Sequence, residues 1–333
     1  MFKVFLPTGN IGVVKADSTI IDYKGLGKLL DKPKKEDTIA NIRIGWHNAR
    51  AVEKDLKTIL GKRTIQSYHW VPKVKPNDVN SSNPSDIILK LSDDSFIGYS
   101  NKATVGKDTT PKFNTNVNAF YGKVGDSTQL TSIQSIMNAS WNYAKTLVDS
   151  KYTNATNATT VLNDTLKSVL DANFTESNLR KTFAKLGRAF NKDGLKFFTS
   201  DFYYPYRNTF IKKFIEHLMV PENLSYFLQT ISSYTFATGG APCPYKLLVG
   251  TTDRSTIKEI SSDDTLRGIL GTKDTPTIPT DITNEYDGKK QSFKLFFKVN
   301  KDSITIPVTA RTRAKGGWSG KALYIETPGV KVT

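Results

Sequence analysis

Residues 85–103 read SDIILKLSDDSFIGYSNKA. Asp86 opens a short apolar run, Ser92-Asp93-Asp94 interrupts it, and a second run beginning at Ser95 ends in Ser100-Asn101-Lys102. Runs of this length, apolar on both faces, suit strands inside a covered sheet, and Ser-Asp-Asp is turn chemistry. The stretch therefore predicts a hairpin. Side chains alternate along a strand, so Ser100 and Lys102 share a face with Asn101 between them. Asp86 starts the first strand and so meets the end of the second. An aspartate and a lysine are expected together at one edge of an otherwise apolar pair.

That pairing has a chemical use. A carboxylate is a hard ligand suited to magnesium, and an ammonium beside it orients or helps deprotonate a water and offsets phosphate charge. A second carboxylate is usually needed to fix the ion. Upstream, TIANIRIGWHNARAVEKDLKTILGK (38–62) carries Ile44, Ala51, Val52, Leu56, Ile59 and Leu60 near helical spacing, with Gly61 as a stop. This helix holds Glu53, the expected second carboxylate if the helix packs beside the hairpin.

The helix with its acid, Asn83-Pro84-Ser85-Asp86, the apolar hairpin and Gly98-Tyr99-Ser100-Asn101-Lys102 together resemble the core of the PD-(D/E)XK nuclease superfamily, which includes many restriction enzymes and phage nucleases. That family uses an Asp at the start of one strand and a Glu-x-Lys triplet on the next. The resemblance implies an α/β fold with a mixed β-sheet flanked by helices, a restriction-endonuclease-like core. It implies Asp86 as the metal-binding aspartate, Lys102 as the catalytic lysine, Glu53 as the helical acid and the backbone carbonyl of Asn101 as a further metal contact. Ser100 departs from the pattern, because it stands where the family has an acid. Either Glu53 takes over, a water bridges from Ser100, or the site is inactive.

The implied activity is cleavage of duplex DNA with magnesium, manganese being the alternative ion. The other reading is a non-catalytic DNA-binding structural or regulatory protein with a degenerate nuclease fold. The resemblance makes the cytoplasm of a bacterial or phage-infected cell the expected setting. It also allows a homodimer, since cutting both strands takes two sites.

Composition agrees with a polyanionic partner. The 333 residues hold 47 Lys and Arg against 31 Asp and Glu, a net charge of +16, so nucleic acid is the first partner to consider and an anionic membrane surface the second. A hydrophobic fraction of 38 % with 18 Phe and 14 Tyr argues for a folded chain. Backbone contacts to DNA are expected from Lys107, Lys112, Asn114 and Asn116, which follow the hairpin, and from Arg311, Arg313 and Lys315 in TARTRAKGGWSGK. A solvated strand edge protected by charge is the competing reading of the arginine stretch. Cys243 is the single cysteine and lies between prolines, so no intrachain disulfide forms and a structural role is expected. The first residues lack the apolar run of a signal peptide, and no apolar segment reaches membrane-spanning length, so no membrane is expected. His47 adjoins Asn48, but with only His69 and His217 elsewhere a histidine metal site is not expected; a place near a helix start or in DNA contact is.

The order along the chain is mixed, helical, mixed. Residues 1–127 are expected to form the N-terminal part of the nuclease-like core, 128–240 a helical subdomain, and 241–333 a β-rich part able to rejoin the core sheet. The clearest helical patterns after the hairpin are TQLTSIQSIMNASWNYAKTLVDS and NTFIKKFIEHLMV; the clearest extended ones are YKLLVG, SFKLFFKVN and SITIPVTARTRA.

Overall fold

In the computed structural model of the chain, the described residues are 2–5, 11–14, 20–21, 35–70, 75–80, 83–103, 112–122, 126–152, 199–236, 243–259, 264–311, 323–328 and 330–332. The chain divides into two compact units, one built from residues 1–111 and 231–268 and the other from 112–230 and 269–333.

The first unit contains a small antiparallel sheet of β1 (Phe2–Phe5), β2 (Ile11–Val14) and β3 (Ile20–Ile21), then the long helix α1 (Lys35–Ile59). Its main sheet takes β4 (Ile65–Trp70), β5 (Ile87–Leu91), β6 (Phe96–Ala103), β8 (Tyr245–Gly250) and β9 (Ser255–Glu259), in the order β4-β5-β6-β8-β9. Neighbours are antiparallel except β6 and β8, which run parallel from Gly98↔Tyr245 to Ala103↔Gly250. The chain is therefore α/β, with a mixed sheet and flanking helices, the class expected from the sequence. Antiparallel neighbours can be joined by tight turns, whereas a parallel pair needs a crossover, and here the second unit's first segment lies within that crossover.

The hairpin forms where the sequence puts it. β5 and β6 pair from Ile87↔Tyr99 to Lys90↔Phe96, and the Ser92-Asp93-Asp94 loop closes with Leu91 N–H donating to the Ser95 carbonyl at 2.9 Å. Asp94 has φ 61°, the left-handed conformation that ends a three-residue hairpin loop and that Asp tolerates better than most residues. Asp93 accepts from the Ser95 N–H and hydroxyl, fixing the turn. Asp93 and Asp94 thus belong to the loop, at the far end from Asp86.

Helix α1 buries one stripe against this sheet. Val52, Leu56, Ile59 and Leu60 pack with Ile87, Leu89, Leu91, Ile97, Tyr99 and Ile257. The helix ends as its sequence predicts: Gly61 takes φ 56°, and the Arg63 guanidinium donates to the last carbonyls, those of Ile59 and Leu60. The opposite sheet face carries Ile88 and Phe96, packed with Val79 and Cys243, and, from β8, Tyr245, Leu247 and Val249.

The second unit sets β7 (Lys112–Asn116) beside β13 (Tyr324–Pro328) in a sheet ordered β10-β11-β12-β13-β7, with β10 (Thr280–Glu285), β11 (Ser292–Val299), β12 (Asp302–Arg311) and a short β14 (Lys331–Val332) on β12. Strands beyond Cys243 therefore take two routes: β8 and β9 join the hairpin sheet, and β10–β14 build a sheet of their own with β7. Its helices are α2 (Val117–Tyr121), α3 (Ser127–Tyr152), α4 (Tyr204–Leu218, entered through a π-helical turn at Thr199–Tyr203) and most of α5 (Pro221–Phe236); the end of α5 and most of α6 (Asp264–Leu270) belong to the first unit. Phe120, Tyr121, Phe214, Tyr226, Phe227 and Phe293 form a contiguous set of ring contacts that supplies much of this unit's core. No helix among the described residues is long and apolar enough to cross a membrane.

Candidate functional site

The β5–β6 ladder opens at Asp86. Continued outward, the register Ile87↔Tyr99 would set Ser85 opposite Asn101. Instead, Asp86 N–H donates to the Tyr99 carbonyl at 2.9 Å, one residue out of step. The Asn101 N–H is taken by a side chain, the Asp86 carboxylate, whose Oδ2 accepts it at 2.5 Å. The carbonyl of Ser85 accepts from the Lys75 ammonium. Side chains thus replace the backbone partners at the point where the strands part, and a carboxylate held by a backbone N–H is a charge-assisted contact. The separation leaves Asp86 and the Ser100-Asn101-Lys102 triplet at one opening.

Three neighbouring contacts hold this end in shape. Asn83 accepts from the Ser85 N–H at 2.9 Å and donates to the Cys243 carbonyl at 3.0 Å, tying the approach of β5 to the approach of β8. The Asn101 side chain accepts from Asn48 of α1 at 2.5 Å, and Asn48 accepts from the Ser255 hydroxyl of β9, also at 2.5 Å. Asn48 is 1 % exposed, so a buried polar line runs across helix and sheet. Two glycines make room: a Cβ on Gly98 would stand 2.0 Å from Ser85 Oγ, and one on Gly250 would stand 2.2 Å from Asn48 Oδ1.

Lys75 is half-buried, and its ammonium titrates below the usual lysine range because burial disfavours the charge, an effect opposed by attraction to Asp86 and Cys243. Burial also pushes the Cys243 thiol up to about 11, so at neutral pH it is a protonated packing group rather than a nucleophile, as its sequence context suggested.

Of the expected site residues, the structure brings together Asp86 and Asn101. Ser100 lies beside them in β6 with 2 % of its surface exposed, and Lys102 follows in the same strand opposite Val249; the Lys102 side chain lies outside the described residues. Glu53 is not brought to this site. It sits on the solvent side of α1 and forms an exposed 2.8 Å pair with Lys57, which together with Arg50 holds its carboxyl below the ordinary range. At about 100° per residue Glu53 lies about 140° around the helix from Asn48, which faces the sheet.

The acid α1 does turn inward is Asp55. Its carboxylate accepts from the Tyr99 hydroxyl and the Lys246 ammonium, both at 2.8 Å, and burial together with this acceptor raises the Tyr99 pKa. Asp55 is an anchor between helix and sheet. Asn48, Asp55, Lys75 and Lys246 were not singled out from the sequence, although Asn48 and Asp55 continue the apolar stripe of Ile44, Val52, Leu56 and Ile59, and a polar group at a buried helix position is a legible signal.

The expected DNA contacts divide. Asn116 caps α2, accepting from the Asn118 N–H at 2.8 Å. Arg311 donates to Glu326 at 2.7 Å across β12 and β13, so its charge is already matched. Lys112 and Asn114 occupy β7, with side chains outside the described residues; Lys107, Arg313 and Lys315 lie wholly outside them. His47 falls mid-helix in α1, not near its start.

The donor set bears on the metal expected here. Magnesium keeps several waters and takes its other ligands from one or two carboxylates and substrate phosphates. Asp86, with the Asn101 carbonyl on the adjoining strand, fits an ion completed by water and phosphate rather than one caged by protein. Among the described residues no three His, Cys, Asp or Glu side chains gather as a metal cluster. Comparison with protein-family models, with curated proteins and with solved structures found no match for this chain.

Proposed function

We propose that this protein is a magnesium-dependent endonuclease acting on duplex DNA in the cytoplasm of a bacterial or phage-infected cell. One observation carries the reading: the hairpin ladder opens at Asp86, and its carboxylate closes onto the N–H of Asn101, the middle residue of the Ser-Asn-Lys triplet. The contact supports the pairing of a strand-start aspartate with an x-Lys triplet that the superfamily resemblance implies. The α/β class and the net charge of +16 support it further.

Asp86 and the Asn101 carbonyl would hold the ion, with manganese as a substitute. When bound, the ion would supply Lewis-acid stabilisation of the phosphate and a more acidic water. Lys102 orients the attacking water and offsets phosphate charge. Lys75 holds the Ser85 carbonyl away from its ladder partner and so keeps the Asp86 carboxylate on Asn101. A homodimer would place two such sites on the two strands.

The test is plasmid nicking with magnesium or manganese, comparing wild type with Asp86→Ala and Lys102→Ala. Each substitution should lower the rate by about 10²–10⁴-fold. Equal cleavage by all three proteins would remove the assigned site. A second reading, a non-catalytic DNA-binding protein with a degenerate nuclease fold, is favoured by Ser100 in the acid's position and by the outward Glu53. Wild type that binds duplex DNA and cuts under neither metal would establish that reading instead, and competition with RNA duplex separates a DNA from an RNA partner.

A further inference from the structure

Arg207, in the first turn of α4, is 7 % exposed, and no carboxylate among the described residues pairs with it. Its Nε and Nη2 donate to the Asn208 side-chain oxygen at 3.0 and 2.8 Å, and Nη2 also donates to the Lys289 carbonyl at 2.6 Å. The guanidinium carbon lies 4.7 Å from the centroid of the Tyr204 ring and 5.7 Å from that of Tyr203. All these partners are neutral, and both N–H groups of Nη1 donate to no described residue. Buried charges are ordinarily paired, so this one is incompletely matched by its own chain. The turn that meets it, Tyr286 to Lys290 between β10 and β11, belongs to the same compact unit. There Asp287 accepts from the Lys289 and Lys290 N–H groups at 2.9 and 2.8 Å and pairs with the Lys290 ammonium at 3.1 Å. Lys289 is exposed and forms no ion pair with a described residue. The Tyr286 hydroxyl is buried and has no hydrogen-bond partner among the described residues.

The groups left over here can all donate, and two of them are cationic, so their complement is an anion with several oxygens. From this juxtaposition we infer that Arg207 and Lys289 bind the terminal phosphate of a nucleotide, whose base lies against the Tyr204 ring. Arg207, Lys289 and Lys290 less Asp287 give a local charge of +2. That matches a phosphomonoester, which carries about −1.5 to −2 at neutral pH, whereas a carboxylate would leave a cation over. A guanidinium suits two phosphate oxygens because its N–H groups form a planar fork, and the ammonium adds a point charge on a flexible stem. Tyr204 favours a nucleotide over bare phosphate: its ring is 44 % exposed, and an aromatic ring can stack on any base. The phosphate can belong to a free nucleotide or to the end of a strand, since the chemistry recognised is the same. This site lies within the second unit and does not rest on the cleavage reading.

Titration calorimetry in chelator, with the full chain, compares dTMP, thymidine, inorganic phosphate and a single-stranded DNA octamer with and without a 5′-phosphate. Wild type should bind dTMP about tenfold or more tightly than thymidine, because only dTMP makes the charged hydrogen bonds. Lys289→Gln, at an exposed position, should weaken dTMP binding about tenfold with Tm unchanged. Arg207→Lys keeps the charge and loses the fork, and should weaken binding by about the same factor. Circular dichroism checks its fold, and if it fails to fold Lys289→Gln decides. Tyr204→Ala should weaken dTMP by about 5- to 150-fold and leave inorganic phosphate unaffected, a split that a merely structural role would not produce. Asp86→Ala should bind dTMP as wild type does. A preference for the phosphorylated octamer over the plain one would identify a strand end as the source of the phosphate, and equal octamers beside tight dTMP a free nucleotide; either supports the site. Thymidine binding as tightly as dTMP overturns it, as does Lys289→Gln or Tyr204→Ala with wild-type affinity for dTMP, or a wild type that binds none of the probes. Loss of dTMP binding in Asp86→Ala would move the phosphate to the hairpin and overturn it too.

Discussion

Gly98 shows how little space the site end of the hairpin leaves. Any side chain there meets Ser85, whose hydroxyl is buried and makes no hydrogen bond to a described residue. Gly98→Ala should therefore cost about 1–3 kcal/mol by overpacking, and Ser85→Ala in the same chain should recover part of it, because the hydroxyl is the nearer obstacle while Ser85 Cβ and Tyr245 Cβ remain close. A double-mutant cycle by urea denaturation reads the coupling. Additive effects would mean the two residues do not meet. Asp86 and Ser100-Asn101-Lys102 were legible as residues from alternation and turn chemistry alone. The offset that puts Asp86 on the Asn101 N–H was not, because an out-of-step pairing depends on Lys75 taking the Ser85 carbonyl, and Lys75 lies ten positions upstream with no pattern to link them.

Among elements, the seating of α1 on the sheet depends on Asp55 rather than Glu53. Asp55→Ala should destabilise by about 3 kcal/mol, since it leaves the Lys246 ammonium, 13 % exposed, without its carboxylate and removes the acceptor of the Tyr99 hydroxyl. Glu53→Gln should leave both the denaturation midpoint and nicking unchanged. Loss of activity with Glu53→Gln would return that residue to the site. The helix itself and its end were legible from period and from Gly61; which acid turned inward depended on phase. Asp55 follows Glu53 by two residues, which is slightly more than a half-turn, and an apolar stripe containing Asn48 and Asp55 looks narrower in sequence than it is in space.

Helices α3, α4 and α5 meet through a polar ring: His217 donates from Nε2 to Gln129 at 3.0 Å, accepts at Nδ1 from Asn223 at 3.2 Å, and Gln129 donates to Asn223 at 2.7 Å. That cycle requires neutral imidazole, and burial lowers the His217 pKa from 6.5. The unfolded chain therefore takes up the proton first as the pH falls. Stability from this ring is complete above the unfolded value and is lost as the pH drops through the native one. The denaturation midpoint of wild type should fall between about pH 7 and pH 5, while His217→Gln shows a flatter dependence over that window. Parallel curves would place the titration elsewhere.

At the scale of the molecule, the distribution of strands follows from long-range pairing. Gly98 pairs with Tyr245, and the segment between them contains most of the second unit, so loop closure has to be offset before that parallel contact can stabilise anything. YKLLVG, SFKLFFKVN and SITIPVTARTRA are alike in reading as strands, yet β8 joins the hairpin sheet while β11 and β12 pair with each other. Local pattern determines that a segment is extended and which residues are apolar, because those properties depend on neighbours within a few positions. It determined the hairpin, the turn at Asp93-Asp94, helix α1 with its stop, the α/β class and a charge suited to phosphate. Only the tertiary structure decided that Asp86 would reach Asn101, that Asp55 would turn inward and Glu53 outward, and that Arg311 would be matched by Glu326. Each of those outcomes is set by the register and phase of one packed element against another, and contacts between distant parts of the chain leave no period to read.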